Sequence, residues 1–411
     1  MNKILIILIL LCPVFGHSQY CTTDNRFTEV EYFTDTQIEK DTGVVYATNV
    51  IDWLGNSQDL ALDFYYPDTT IDSLSSRPFI LLIHGGGFKN GSKSGLSRHC
   101  EEFAKRGYVA ASLQYRLGWD TTGSALTNQP PAIYRAQQDA NAAMRFIIEN
   151  ANDYQIDTSW MFIGGQSAGS ITALGTHYMN QNEWNAVFPN YETLYGSINT
   201  SGNNFNHEFH FKGLFNNWGN TFGAAIETNE LIPMISFHGV LDNTTPIGNS
   251  NGRYGSGVIH DTLLSNSICS ELTVDSTGGH GIYKENTGID FRVMRASCFF
   301  KSVFCNNCSS TFYSDSISAN CSTPMSVIEA EHSKELFKVY PNPANDFLAI
   351  NGVIGNYEIN VIDIAGKIIS IAEMKEGHEI INVSNLTKGI YLILIINQEN
   401  GKFEQIKFIK E

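Results

Sequence analysis

Short apolar runs, separated by polar and glycine-rich stretches, set the pattern of the first three quarters of the chain. Across 43–67, VVYATNVIDW and DLALDFYYP lie either side of a polar turn, so β-branched and aromatic residues predict strand, turn and strand. Residues 79–83 are apolar without interruption and too few for a helix, the mark of a strand buried on both faces. A helical stretch at 98–106 leads to a second such strand at 108–115. After Pro130 and Pro131, Ile133, Ala136, Ala140, Ala143, Met144 and Ile147 recur on one face of a helix that runs to about Asn150. Further strands are expected at 160–163, 194–199, 233–237 and 270–275, at intervals that suit crossover helices, with a closing helix at 288–304. This alternation predicts an α/β domain with a mostly parallel sheet and helices on both faces.

Beyond 308 the pattern changes. Residues 309–335 are rich in Ser and Thr, carry no sustained apolar period and read as a linker. Short strand-like runs then fall at 337–350, 357–363, 367–372, 379–383 and 390–396, punctuated by Gly, Asn and Pro, which predicts a small all-β sandwich over 336–411. At the other end, Lys3 precedes an apolar run at 4–11, and the small residues Gly16 and Ser18 follow, so 1–18 reads as a cleaved secretory signal and 19–308 as the large domain. No other stretch approaches the roughly 20 apolar residues of a membrane helix.

The formal net charge of −16 disfavours nucleic acid and anionic lipid surfaces as partners and suits a neutral or weakly charged substrate. Export places Cys21, Cys100, Cys269, Cys298, Cys305, Cys308 and Cys321 in an oxidising compartment, where disulfides persist and an odd number leaves at least one thiol over. The pair Cys305 and Cys308 lacks the second CxxC or His pair of a zinc site, so a disulfide role is expected.

Chemistry concentrates in three stretches. Gly165-Gln166-Ser167-Ala168-Gly169 follows a predicted strand and precedes a helix-compatible run, the setting in which glycines let a strand turn sharply and leave Ser167 exposed as a nucleophile. His84-Gly85-Gly86-Gly87 ends another buried strand. Its Gly86 and Gly87 N–H groups, with that of Ala168, form a candidate oxyanion hole for the charge that develops on an ester carbonyl. A dinucleotide loop is the rival reading of these glycines, and it fails for want of GxGxxG spacing. Asp242, in the loop after the 233–237 strand, is the candidate acid in preference to Asp275, which lies only five residues before the candidate base. That base is His280 in GGHGIY, since an imidazole can both take and return a proton near neutrality. No metal or cofactor is required, and His207-Glu208-Phe209-His210 has the wrong spacing for a zinc protease. The aromatic stretch at 205–222 is expected either to line the substrate pocket or form a cap, or to be ordinary core.

These stretches, with Tyr115-Arg116-Leu117, Gln138-Asp139 and HGVLDNTTP, resemble the α/β-hydrolase superfamily, in particular hormone-sensitive-lipase-like carboxylesterases and bacterial feruloyl and acetyl-xylan esterases. The resemblance implies the α/β-hydrolase fold and a serine esterase acting on small acyl esters or on acetyl or feruloyl-type esters of polysaccharide. A peptidase of the same fold, or a non-catalytic carbohydrate-binding or adhesion protein, is the alternative. The stretches VYPNPANDFL, 363–366 and LTKGIYL are similar to the sorting domain of the type IX secretion system of Bacteroidetes, which implies that machinery as a partner and a secreted or outer-surface location.

Overall fold

The computed structural model describes residues 18–315, 320–321, 337–363, 367–398 and 403–411. The expected signal segment lies outside the described residues apart from Ser18, as do most of the expected linker and residues 364–366.

Alternating apolar residues build the large domain. Its strands are β1 (Ile38–Ile51), β2 (Ser57–Pro67), β3 (Arg77–Ile83), β4 (Val109–Leu113), β5 (Ile156–Gln166), β6 (Phe211–Asn217), β7 (Asn220–Phe222), β8 (Met234–Gly239), β9 (Asn249–Ser250), β10 (Arg253–Gly255), β11 (Ser270–Asp275) and β12 (Thr311–Ser314). Nine of them form one sheet in the order β1-β2-β4-β3-β5-β6-β8-β11-β12 among the described residues. β1, β2 and β4 pair antiparallel, and from β4 onward every pairing is parallel. β7, β10 and β9 make a small separate sheet.

The helices are α1 (Ser97–Lys105), α2 (Ala125–Asn128), α3 (Pro130–Glu149), α4 (Ala168–Tyr178), α5 (Gln181–Val187), α6 (Tyr191–Tyr195), α7 (Ser256–Ser265) and α8 (Asn286–Phe304). Because side chains alternate along a strand, Phe79, Leu81 and Ile83 point to one face and Ile80 and Leu82 to the other. The first set packs with Ile133, Ala140 and Met144 of α3 and Leu174 of α4. The second packs with Phe103 of α1 and Phe299 and Phe300 of α8. The result is two apolar layers with the sheet between them, which accounts for the uninterrupted apolar runs of the central strands.

Two expectations need correction, and one open alternative is decided. Residues 194–199 form no strand: Tyr191–Tyr195 is helix α6, Leu194 is 64% exposed, and Tyr195 packs against Tyr191 instead of a sheet neighbour. The strand beside β5 is β6, inside the aromatic stretch, where Phe211, Phe215 and Trp218 are buried in the core. The linker does not begin at 309, since β12 extends the sheet and Cys321 is bonded to Cys298.

Cys305 and Cys308 pair with Cys21 and Cys269 respectively, so the short motif serves two different bridges. Cys100 is the free thiol among the described residues and is buried.

The C-terminal residues carry β13 (Phe337–Tyr340), β14 (Phe347–Gly352), β15 (Tyr357–Asp363), β16 (Ile368–Met374), β17 (His378–Asn382), β18 (Gly389–Asn397) and β19 (Phe403–Lys410). They form two antiparallel sheets, β13-β14-β17 and β16-β15-β18-β19, around a shared core that includes Leu348, Ile359, Ile393 and Phe408. The run expected at 337–350 is two strands because Pro341 and Pro343 lie between them, and proline cannot donate to a ladder.

Candidate active site

Ser167 sits where β5 turns into α4, with φ 53° and ψ −120°, a region non-glycine residues seldom occupy. Strain of this kind costs on the order of 1–3 kcal/mol and persists only where the surroundings impose it. They do: a Cβ on Gly169 would lie 1.9 Å from the Ile83 carbonyl oxygen, so only glycine lets α4 approach β3 this closely. The Ser167 N–H donates to the Asn217 carbonyl at 2.9 Å, pinning the turn to β6.

Three of the candidate side chains meet. Ser167 Oγ lies 2.8 Å from His280 Nε2, and His280 Nδ1 lies 2.8 Å from Asp242 Oδ2. Asp242 follows β8 and His280 follows β11, so neighbouring parallel strands deliver acid and base to the same sheet end as the serine. The Asp242 side chain is fully buried, whereas His280 is partly open to solvent. Asp275 is turned elsewhere and accepts from Thr277 N–H at 3.0 Å.

Burial works to raise the Asp242 carboxyl, yet hydrogen bonds from His238, His280 and the Thr245 N–H hold it well below the usual carboxylate range. Its second oxygen accepts from the Thr244 and Thr245 N–H groups, each at 2.8 Å. An anion so fixed favours the His280 tautomer with its proton on Nδ1, leaving Nε2 to receive the serine hydroxyl. Sequence reasoning missed His238. Its Nε2 lies 3.4 Å from Asp242 Oδ2 and donates to the Thr245 carbonyl at 2.7 Å, while its Nδ1 meets Ser256 Oγ at 2.6 Å.

The glycine loop faces the serine. Gly87, Phe88, Ser167 and Ala168 border a cavity of about 180 Å³ whose apolar wall includes Leu126, Ile171 and Pro246. Gly86 stands one residue behind, in a turn whose carbonyl accepts from the Lys89 and Asn90 N–H groups at 3.1 Å. Ala168 opens α4, so its N–H has no partner within the helix. His84 Nδ1 meets the Gly85 carbonyl at 2.7 Å, and its ring stacks on Tyr115, whose hydroxyl donates to the His84 carbonyl at 3.0 Å. Arg116 next to it holds Asp139 with Nε at 2.8 Å and the backbone N–H at 2.7 Å. These motif residues therefore brace the loop from behind.

A second support lies under the serine turn and has no sequence signature. Arg292 of α8 is fully buried and donates to Asn217 Oδ1 at 2.6 Å and to the Tyr283 carbonyl at 3.1 Å, in the loop that follows His280. His99 Nε2 accepts from Arg292 Nη2 at 3.2 Å and from Gln166 Nε2 at 2.7 Å. Burial pulls Arg292 down to about 9.

His207 pairs with Glu149 at 2.6 Å on the surface, away from this constellation. Of the described groups with metal-ligand geometry, Glu29, Cys298 and Cys321, the two sulfurs are already bonded to each other.

Residues 62–222 match the family BD-FAE, and residues 338–411 match the secretion system C-terminal sorting domain. Gut esterase 1 of Caenorhabditis briggsae is 32% identical over 115 residues, which are 28% of this chain and 20% of that protein. Gut esterase 1 of Caenorhabditis elegans is 33% identical over 97 residues, 23% of this chain and 17% of that one. The chain thus spans about a fifth of the length of the curated relatives it matches. Among solved structures, a propionate-bound esterase of Thermogutta terrifontis gives a TM-score of 0.47 at 18% identity, covering 67% of this chain and 97% of that one. A truncated carbohydrate esterase from gut microbiota gives 0.45 at 17% identity, with the same coverage. No helix among the described residues is long and apolar enough to cross a membrane. The two family matches thus fall on different parts of the chain: the C-terminal β strands carry the match to a secretion system sorting domain, and the stretch that holds the glycine loop and Ser167 carries the match to BD-FAE.

Proposed function

We propose that this protein hydrolyses carboxylic esters through Ser167, His280 and Asp242. The observation that carries the reading is the pair of 2.8 Å contacts from Ser167 to His280 and from His280 to Asp242, with a cavity opening beside the serine. Ser167 Oγ attacks the ester carbonyl as its proton passes to His280 Nε2, and Asp242 stabilises the imidazolium that forms. The N–H groups of Gly86, Gly87 and Ala168 receive the oxyanion, each donor lowering the barrier by about 3 kcal/mol. His280 then returns its proton to the leaving alcohol, and water repeats the cycle on the acyl-enzyme.

The 180 Å³ cavity, apolar along part of its wall, suits a short acyl group such as acetyl, and the partly open His280 leaves the alcohol side accessible to a bulky partner. Acetyl or feruloyl-type esters carried on polysaccharide are the proposed substrates, acetyl on the size of this cavity and feruloyl-type on the family match alone, and the type IX secretion machinery is the proposed partner in export. The test is direct. The protein should release 4-nitrophenol from 4-nitrophenyl acetate and take up a fluorophosphonate label, and Ser167→Ala should lose both. Labelling that persists in Ser167→Ala overturns the assignment.

A further inference from the structure

Beside the serine cavity lies a larger hollow of about 730 Å³ that the proposed chemistry does not use. The two share a wall: Ala125 and Leu126 of α2 border the serine cavity, and Thr127 and Asn128 of the same helix border the hollow. Trp119 joins them further, lining the hollow while its Nε1 donates to the Gly87 carbonyl at 2.9 Å. Whatever occupies the hollow therefore lies next to an ester held at Ser167.

The lining has a definite chemistry. Three aromatic residues, Trp53, Trp119 and Tyr195, are interleaved with Asp52, Asn128 and Arg135. Trp53 is carried by the turn between β1 and β2 and is 42% exposed, so part of its ring is open to a ligand. Its position is imposed, because a Cβ on Gly118 would lie 1.9 Å from Trp53 Nε1, so only glycine there admits the ring. Arg135 is 6% exposed, donates to the Gly118 carbonyl at 2.8 Å and has no carboxylate in ion-pair range among the described residues. It lines the hollow with its guanidinium carbon 5.9 Å from the Tyr195 ring centroid, and its Nε has no hydrogen-bond partner among the described residues.

Aromatic faces with a fixed set of donors and acceptors between them match a pyranose ring, which offers flat C–H surface on its faces and hydroxyls at its edge. A lipid tail would offer no hydrogen-bonding group to the polar side chains of Asp52, Asn128 and Arg135, and a nucleic acid would meet the acidic surface. The geometry points to a saccharide-binding subsite that holds sugar units of the alcohol half of the substrate, with Trp53 and Trp119 as stacking platforms and Arg135, Asp52 and Asn128 as hydroxyl partners. The inference rests on the ester-hydrolase reading only for where the ester sits, and the binding itself can be measured without turnover.

The experiment compares acetylated xylohexaose with 4-nitrophenyl acetate in the full chain. Trp53→Ala should lower the ratio of kcat/KM for the oligosaccharide to that for the nitrophenyl ester by about tenfold, through KM, the loss of one stacking contact. Trp53→Tyr should restore most of the ratio, and Asn128→Ala should lower it in the same direction. In Ser167→Ala, unesterified xylohexaose should change the indole fluorescence, and the additional Trp53→Ala substitution should abolish that change. A ratio within twofold of wild type in Trp53→Ala, or xylohexaose binding that survives it, overturns the subsite. Failure of wild type to hydrolyse 4-nitrophenyl acetate sinks the ester-hydrolase reading instead, and leaves the fluorescence experiment to decide the subsite alone.

Discussion

Arg292 Nη1 donates to Asn217 Oδ1 at 2.6 Å, directly behind the turn that carries Ser167. The same guanidinium reaches the Tyr283 carbonyl, so one buried cation ties the end of β6, to which the serine turn is pinned, to the segment that follows His280. Arg292→Met fills the volume but leaves the Asn217 and Tyr283 oxygens without their donor. Stability should fall by about 2–3 kcal/mol, the cost of orphaning buried partners of a charged group, read as a drop in the urea midpoint.

Asp242 holds His280 in one tautomer. Asp242→Asn keeps the shape but can donate where the carboxylate only accepted, which favours the wrong tautomer. We expect kcat for 4-nitrophenyl acetate to drop by about 10³- to 10⁴-fold with KM little changed, measured by steady-state kinetics. Because the carboxyl is held well below its ordinary range, its charge is kept on mild acidification, and the stabilisation it gives is lost progressively as pH falls from the ordinary carboxylate range through that lowered value.

Gly169 admits no side chain. In Gly169→Ala the new methyl collides with the Ile83 carbonyl, and the turn must open to relieve it. Destabilisation of about 3 kcal/mol or more is expected by thermal melting, together with loss of fluorophosphonate labelling at temperatures where the variant remains folded.

His260 links stability to pH. Burial lowers it from 6.5 to about 4 in the folded chain, where its Nδ1 meets Ser270 Oγ at 2.8 Å. Between those values the unfolded chain takes up a proton that the folded chain refuses, so stability falls as pH is lowered from about 6.5 toward 4. His260→Gln should flatten this dependence, seen in urea midpoints at pH 7 and pH 5, and an unchanged slope would contradict the assignment.

How much could be read from the residues depends on whether the signal was local. The 79–83 strand and the 160–163 run into Ser167 are legible because a buried central strand is apolar throughout and the turn demands its glycines. The order of Ser167, Asp242 and His280 marks the candidate site in the same way. Residues 194–199 misled because a short apolar run suits a strand or a helix equally, and only the packing of Tyr191 and Tyr195 decides between them. The aromatic stretch hid strand β6 for a related reason, since core and pocket favour the same side chains. His238 and Arg292 could not have been found by spacing. Their partners lie 4 to 193 residues away in the chain, and no motif records the contacts.

The bridge between Cys298 and Cys321 anchors the last described residues of the large domain to α8, while the bridges from Cys21 to Cys305 and from Cys269 to Cys308 lie wholly before that point. A protease cutting between positions 321 and 337 would separate the C-terminal β strands without opening any of these three covalent loops. The large domain freed in this way would remain stapled, its serine turn and both hollows intact.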